Sequence, residues 1–243
     1  MQETAINALE IVRSVCGTLG LPRPNSVTGS GDVQVIQLAE LLNEEGSELA
    51  ARSSSGWQAL VREATFTTVA TEDQGAITTI IGAANAFRHI VNETIWNRTT
   101  TQPVYGPRPP RIWQGLKALT VAGPYAEYRI RTGKLLFMPV PAAGDTCAFE
   151  YVTKNWLTSS DGTEQRSRIT NDEDVSLLDD ELIRAGLVWR WRAAKGLNFG
   201  TDFDKYEARV IDALARDGTK ARLSLSGVTD LNVPQAIPRL IGS

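Results

Sequence analysis

The stretch YAEYRIRTGKLLFM, residues 125–138, decides the fold class of this chain. Its first half alternates apolar with charged side chains, the periodicity of a half-buried β-strand. Thr132-Gly133 follows as a candidate tight turn, and the apolar run 134–138 predicts the returning strand. Pro139 and Pro141 end that strand, because proline cannot donate to a strand ladder. The sequence therefore predicts an antiparallel hairpin near the middle of the chain.

Further strands are predicted on both sides of this hairpin. Apolar side chains alternate from Cys147 to Tyr151, which predicts a strand that runs on toward Trp156. The β-branched segments 66–71 and 76–81 predict two strands joined by a turn. Together these strands define a β-rich insertion over residues 61–171.

Residues 83–117, within this insertion, show no clear period. Phe87, Ile90 and Val91 suggest a short helical turn. Three prolines, at 107, 109 and 110, disfavour regular structure just before a turn that contains Trp113. We therefore expect an irregular segment here.

Helical periodicity occupies the two ends of the chain. The predicted helices span 4–20 with Thr4 as N-cap, 32–51 with Asp32 as N-cap, 175–195 capped by Asn171, Asp172 or Asp174, and 203–216. Gly46 interrupts the apolar stripe of the second helix and suggests a close helix crossing. We predict an α+β fold in which residues 1–60 and 172–218 form a helical bundle around the β insertion. Residues 219–243 are predicted to form an extended C-terminal arm.

Composition limits the kinds of partner that this chain is expected to bind. The formal net charge is -3, so no global basic field draws the chain to nucleic acid. The N-terminal segment lacks the basic start of a signal peptide, and no apolar run approaches the ~20 residues of a membrane span. The two cysteines, Cys16 and Cys147, are expected to be buried free thiols. We therefore expect a protein of the reducing cytoplasm with no membrane partner.

Catalytic and metal-binding signatures are scarce in the sequence. His89 is the only histidine, and it is expected to be a structural residue at or near the surface. No phosphate-binding loop or zinc pattern occurs, so no cofactor or metal site is predicted. The acid clusters 172–174 and 179–181 leave open a carboxylate-pair hydrolase. Acids near a predicted helix start are stabilising without any catalytic role, so we prefer this structural explanation and predict a protein that is not an enzyme.

Two tryptophans point to an interface. Trp189 and Trp191 are about 200° apart around the same predicted helix, so one is expected in the core while the other faces elsewhere. Trp and Arg are favoured at protein interfaces. This pattern favours an oligomer, although coverage of the second tryptophan by its own chain stays an alternative.

An ordered series of motifs resembles a known family of virion proteins. The series runs through Trp57, 63–65, 87–90, 96–98, 106–107, Trp113, the hairpin, 149–152, 155–156, 172–174 and 177–178, and ends in GLVWRWRAAKGL at 186–197. Over residues 35–215 it is similar to bacteriophage head-to-tail adaptor proteins of the podovirus type. The resemblance rests on tryptophans and spacing, and the last stretch resembles the family most.

The resemblance implies a structural protein at the head-to-tail junction of a virion, assembled in the host cytoplasm. It implies a ring, usually of twelve copies, that binds beneath the portal protein and above a tail or nozzle protein. Double-stranded DNA would pass through the ring without specific binding. The helices would face the portal, the β insertion would face outward or toward neighbours, and the arm would reach the portal. The expected interface residues are Trp189, Trp191, Arg192, Leu223, Leu225, Leu231, Val233, Ile237, Leu240 and Ile241.

Two alternative functions remain at this point. Some relatives of these adaptors have been thought to hydrolyse cell wall, so a virion-associated peptidoglycan hydrolase with a carboxylate pair stays open. A minor nucleic-acid binder is a weaker alternative, because basic and aromatic residues are interleaved between residues 88 and 117.

Overall fold

The computed structural model describes residues 6–52, 57–118 and 125–217. Helices and antiparallel strands are both present there, which confirms the predicted α+β class. The α-helices are α1 Ala8–Leu19, α2 Val33–Ala51, α3 Ile77–Ile81, α4 Pro110–Ala118, α5 Asp180–Ala194 and α6 Gly200–Asp217. The longer strands are β1 Val61–Thr67, β2 Asp73–Ala76, β3 Phe87–Ile90, β6 Glu127–Arg131, β7 Lys134–Met138 and β8 Thr146–Thr153. The two-residue strands are β4 Trp96–Asn97, β5 Gln102–Pro103, β9 Leu157–Thr158, β10 Gln165–Arg166 and β11 Val175–Ser176.

The strands form three antiparallel sheets. β8 is central to the largest, with β1 along one side and both β3 and β4 along the other, and β5 continuing beyond β4. The β1–β8 register runs from Val61 opposite Val152 to Thr67 opposite Thr146. The second sheet has the order β2-β7-β6 and contains the predicted hairpin with its turn at Thr132-Gly133. The third is the small sheet β10-β9-β11.

Two apolar clusters divide the interior. One joins the facing sides of the two larger sheets, where Phe66 lies between Phe137 and Phe149 with ring centroids 5.9 and 6.1 Å away in edge-to-face geometry. The other joins α1, α2, α5 and α6 and also receives Trp57 and Trp156. Because the linking residues 152–157 take part in both the sheet and the helical cluster, the bundle and the insertion share packing. Their division into separate domains stays a prediction.

Several local predictions were wrong. Residues 77–81 form α3 and not a strand, and β1 and β2 do not pair with each other, because β8 and β7 are their partners. Burial of Ile77 and Ile81 against the β cluster overrides the β propensity of this segment. Phe87 to Ile90 form strand β3 against β8, where a short helical turn was expected.

The proline-rich segment and two helix starts also differ from the predictions. Pro110 opens α4, since a first-turn residue has no intrahelical use for the N–H that proline lacks. α1 begins at Ala8 with Asn7 as N-cap, whose side chain accepts the Glu10 amide; the expected cap, Thr4, lies outside the described residues. α5 begins five residues later than predicted and is capped by Asp179. By contrast, the Asp32 cap of α2 is confirmed.

Gly46 allows a close contact, but the partner is not the crossing helix that the sequence predicts. A Cβ at this position would lie 2.2 Å from the indole ring of Trp156, so the glycine admits a side chain from the sheet side and not a crossing helix. The helix crossing uses another glycine. At Gly186 of α5, a Cβ would lie 2.1 Å from the carboxyl carbon of Glu45 on α2.

Candidate assembly interface

Helix α5 carries the three interface candidates that lie within the described residues. Trp191 is buried in the helical cluster, with the Lys195 ammonium 4.4 Å from its ring centroid. Trp189, on the other side of the helix, is half-buried, so the two tryptophans have the different environments that their spacing predicts. Arg192 forms an ion pair with Asp202 and so ties α5 to α6.

Trp189 belongs to an aromatic group between α5 and α6. Its ring lies 5.1 Å from Phe203, 6.1 Å from Tyr206 and 6.2 Å from Phe199 between centroids. Its indole N–H is buried without a hydrogen-bond partner among the described residues. Much of the Trp189 ring is therefore covered by its own chain, which is the alternative that the sequence leaves open.

The turn between α5 and α6 exposes apolar side chains beside that group. Leu197 is 56% exposed and Phe199 is 39% exposed, and both lie just before the start of α6. Ile211 on the outer side of α6 is 63% exposed. Neighbouring exposed apolar side chains are a mark of protein contact surfaces. This surface was not predicted from the sequence. The available signal was the pair of apolar residues, Leu197 and Phe199, just after Gly196.

A buried ionic network fixes α2, α5 and α6 beneath this surface. The Arg190 guanidinium lies 2.6 Å from a carboxylate oxygen of Glu45, 3.0 Å from one of Glu44 and 2.6 Å from one of Glu48. The Tyr206 hydroxyl donates to the other oxygen of Glu45 at 2.5 Å. The apolar stripes in the sequence did not reveal this network, because charged residues are normally assigned to the surface.

Burial controls the protonation of this network. Desolvation raises the pKa of the Glu45 carboxyl, against the opposing effect of its hydrogen bonds from Tyr206 and Arg190. Burial, and then the nearby Glu45 carboxylate, raise the pKa of the Tyr206 hydroxyl, which therefore stays a donor. Although burial opposes it, hydrogen bonding to Glu45 and Glu48 holds the pKa of Arg190 above its ordinary value. The Arg190 guanidinium thus joins α5 to α2, and the Glu45 carboxylate joins α2 to α6.

Comparison with known families identifies the chain. The SU10 adaptor protein family matches residues 6–234. The chain belongs to this family of phage adaptor proteins. The match extends beyond the 35–215 stretch that carries the sequence resemblance, and it covers nearly the whole chain. Among curated proteins, none is similar enough to count as a match.

The remaining interface candidates of this adaptor lie in the arm. The structure does not describe residues 218–243, so these seven candidates are outside the described residues: Leu223, Leu225, Leu231, Val233, Ile237, Leu240 and Ile241. Their interface role stays a prediction, as does that of Trp189, Trp191 and Arg192.

The acid clusters of the adaptor support loops and helix ends. One carboxylate oxygen of Asp172 accepts the backbone amides of Val27 and Thr28 at 2.9 and 2.8 Å. Asp174 is buried and pairs with Arg166, and Asp179 caps α5. Of these three acids, Asp179 has the helix-end role that the sequence predicts. Asp172 and Asp174 hold loops instead, because α5 begins six residues beyond Asp174.

Other candidate chemical groups are accounted for in the same way. His89 on β3 is half-buried, and burial, followed by the charge of Arg88, lowers the pKa of its imidazole. Burial raises the pKa of the free Cys147 thiol to about 11 and also raises that of the free Cys16 thiol. Within the described ranges there is no cluster of metal-ligating side chains. No helix there is long and apolar enough to span a bilayer.

The interleaved basic residues of the β insertion are largely paired with acids. Arg98 contacts Glu63, Arg108 contacts Glu127, and Lys117 contacts Glu72. Since an ion-paired side chain is less available to phosphates, these three pairs favour intramolecular packing over nucleic-acid contact.

Proposed function

We propose that this adaptor forms a ring under the portal, the twelve-copy ring that the resemblance implies, and links the capsid to the tail. The observation that carries the proposal is the match to the SU10 adaptor protein family over residues 6–234. In this role the partners are the portal protein, neighbouring copies and a downstream tail or nozzle protein. The location is the head-to-tail junction of the virion.

The surface around the α5–α6 turn supports a contact role. It combines the half-buried Trp189 with exposed Leu197 and Phe199. Tyr206 of the same aromatic group is hydrogen-bonded to Glu45 of the buried ionic network. Aromatic side chains in rigid surroundings lose little conformational entropy on binding. In this arrangement Trp191 supports the surface from within, while Trp189 and Arg192 border it.

The mild acidity of the chain supports a DNA conduit. Double-stranded DNA that slides through a ring must not be held by many lysines and arginines. A net charge of -3 is compatible with passage without specific binding.

The C-terminal arm is proposed to reach the portal. Residues 219–243 contain eight leucine, isoleucine and valine side chains, too many for a solvated linker. An arm that becomes ordered on docking would couple ring assembly to the presence of the portal.

Deletion of residues 219–243 tests this function. We expect the truncated protein to stay folded by circular dichroism and to lose binding to portal protein in sedimentation assays. The matched control replaces the polar arm residues Thr219, Ser224 and Ser226 with alanine, which should leave portal binding intact. Unchanged portal binding by the truncated protein would contradict the role of the arm.

A further inference from the structure

Charged residues are distributed unequally between the part of the chain that contains the two larger sheets and the rest of the described chain. Residues 57–156, which contain the two larger sheets, carry ten Lys and Arg against seven Asp and Glu, a net charge of +3. The remaining described residues, 6–52 and 157–217, carry twelve Lys and Arg against nineteen Asp and Glu, a net charge of -7. One molecule therefore presents both a basic and an acidic region.

The basic region includes one face of the β6–β7 hairpin. Tyr128 points into the β cluster, so Arg129 and Arg131 project from the opposite face of β6. Arg131 lies directly across from Lys134, and like charges in this position repel. Lys134 is neutralised by Asp73 at 2.6 Å. Among the described residues, neither guanidinium on β6 has a hydrogen bond or ion pair.

The acidic region includes one face of α2. Glu44 and Glu48 are one helical turn apart and both are more than half exposed. They share the single guanidinium of Arg190 with the buried Glu45. Three carboxylates around one arginine leave an excess of negative charge, most of it at the surface. A cation from outside the molecule would relieve that repulsion.

The two faces also match in spacing. Alternate residues of a strand are about 6.7 Å apart, and residues one turn apart on a helix have Cβ atoms about 5–6 Å apart. We propose that Arg129 and Arg131 of one copy bind Glu48 and Glu44 of a second copy of this chain. Since the two faces differ, the contact is head-to-tail, and repetition with a closing rotation gives a ring. The inference rests on the proposed ring and names the surfaces that join its subunits.

Charge reversal tests this contact. The strand variant is Arg129→Glu/Arg131→Glu and the helix variant is Glu44→Lys/Glu48→Lys. Each variant alone brings like charges together, so the concentration needed for half-assembly should rise at least about a hundredfold. An equimolar mixture should assemble again, with the two variants alternating, because both junctions in the mixture are complementary. Native mass spectrometry of the full chain, alone and with portal protein, measures the oligomers and their composition.

The matched control for the strand variant is Lys154→Glu/Lys205→Glu, which changes the net charge equally at two other exposed lysines. We expect this control to assemble like the wild type. Assembly of the strand variant like wild type would overturn the contact, and so would a mixture of folded variants that stays monomeric. If the strand variant assembles normally and loses only affinity for DNA, the strand binds phosphates and the contact is also overturned.

A covalent test covers the case in which the helix variant does not fold beside Arg190. Arg131→Cys/Glu44→Cys should give a ladder of covalently linked oligomers with a flexible bismaleimide reagent, whereas each single cysteine variant should not exceed the wild-type pattern. A linker is used because the long side chains of an Arg–Glu ion pair hold their Cα atoms farther apart than a direct disulfide allows. Assembled protein without a ladder overturns the contact. A wild-type chain that stays monomeric both alone and on the portal overturns the ring as well, so the two failures can be told apart.

Discussion

Replacing Arg190 with methionine tests the physical basis of the helical bundle. Arg190 is 6% exposed and Glu45 is fully buried, so the substitution leaves a buried carboxylate for which Tyr206 is the one remaining donor among the described residues. Removing one partner of a buried ion pair costs about 3–5 kcal/mol, because the other charge stays buried without compensation. Glu44 and Glu48 are exposed and add little to that loss. We expect about 3–5 kcal/mol lower free energy of unfolding at pH 7.

The pH dependence of this loss has a definite sign. Burial already holds the pKa of Glu45 above its unfolded value, and removal of Arg190 raises that pKa further. A carboxyl with a raised folded pKa adds stability below its unfolded pKa, and that stability is lost as pH rises through the folded pKa. The difference between wild type and variant should therefore shrink as pH falls from 7 toward 4.5. Carboxyls with lowered pKa values, such as those of Asp172 and Glu207, weaken both proteins alike and cancel in the difference.

Urea unfolding monitored by tryptophan fluorescence, at pH 7 and pH 4.5, measures the effect. The matched control is Arg184→Met, which breaks a partly exposed pair with Asp180 on the same helix and should cost less than about 1 kcal/mol. The double variant Glu45→Gln/Arg190→Met should recover most of the stability, because no charge stays buried. A loss below about 1 kcal/mol at pH 7, or a loss that grows on acidification, would refute the reasoning.

Three further outcomes are expected from the same geometry. Gly186→Ala should lower the free energy of unfolding by about 3 kcal/mol, since the new methyl group meets a buried carboxylate, whereas Gly115→Ala on exposed α4 should raise it by about 0.5–1 kcal/mol. Asp179→Ala should cost about 1 kcal/mol through loss of the α5 cap, measured by thermal or urea unfolding. Cys16 and Cys147 should resist alkylation at pH 8 in the native state and react fully in denaturant, because burial keeps both thiols protonated and covered.

Local sequence patterns predicted the elements that depend on residues close together in the chain. The 125–138 hairpin follows from alternation and one turn dipeptide, and α2 follows from its apolar stripe and Asp32. The two-tryptophan argument on α5 also held for environment, since Trp191 is buried and Trp189 is only half-buried. In each case the signal lies within about four residues along the chain, where the backbone period alone selects a face.

Distant partners decided the segments that were predicted wrongly. The 77–81 segment has the composition of a strand, but β8 and β7 supply the partners of β1 and β2 and leave it helical. The ionic network joins Glu45 to Arg190 and Tyr206 across 145 and 161 positions of sequence, a separation at which no periodic signal exists.

The sequence by itself determined that this chain is an α+β protein with a central hairpin, that its chemistry-bearing motifs are few, and that it resembles a phage adaptor. These properties depend on composition, period and local order, which are fully present in the chain. Only the tertiary structure decided that Gly186 admits Glu45 and that one buried guanidinium serves three acids. Only the structure also brought Phe199 beside Trp189. Which charges are buried and paired depends on which distant segments pack together. The free energy of that packing is a property of the whole folded molecule.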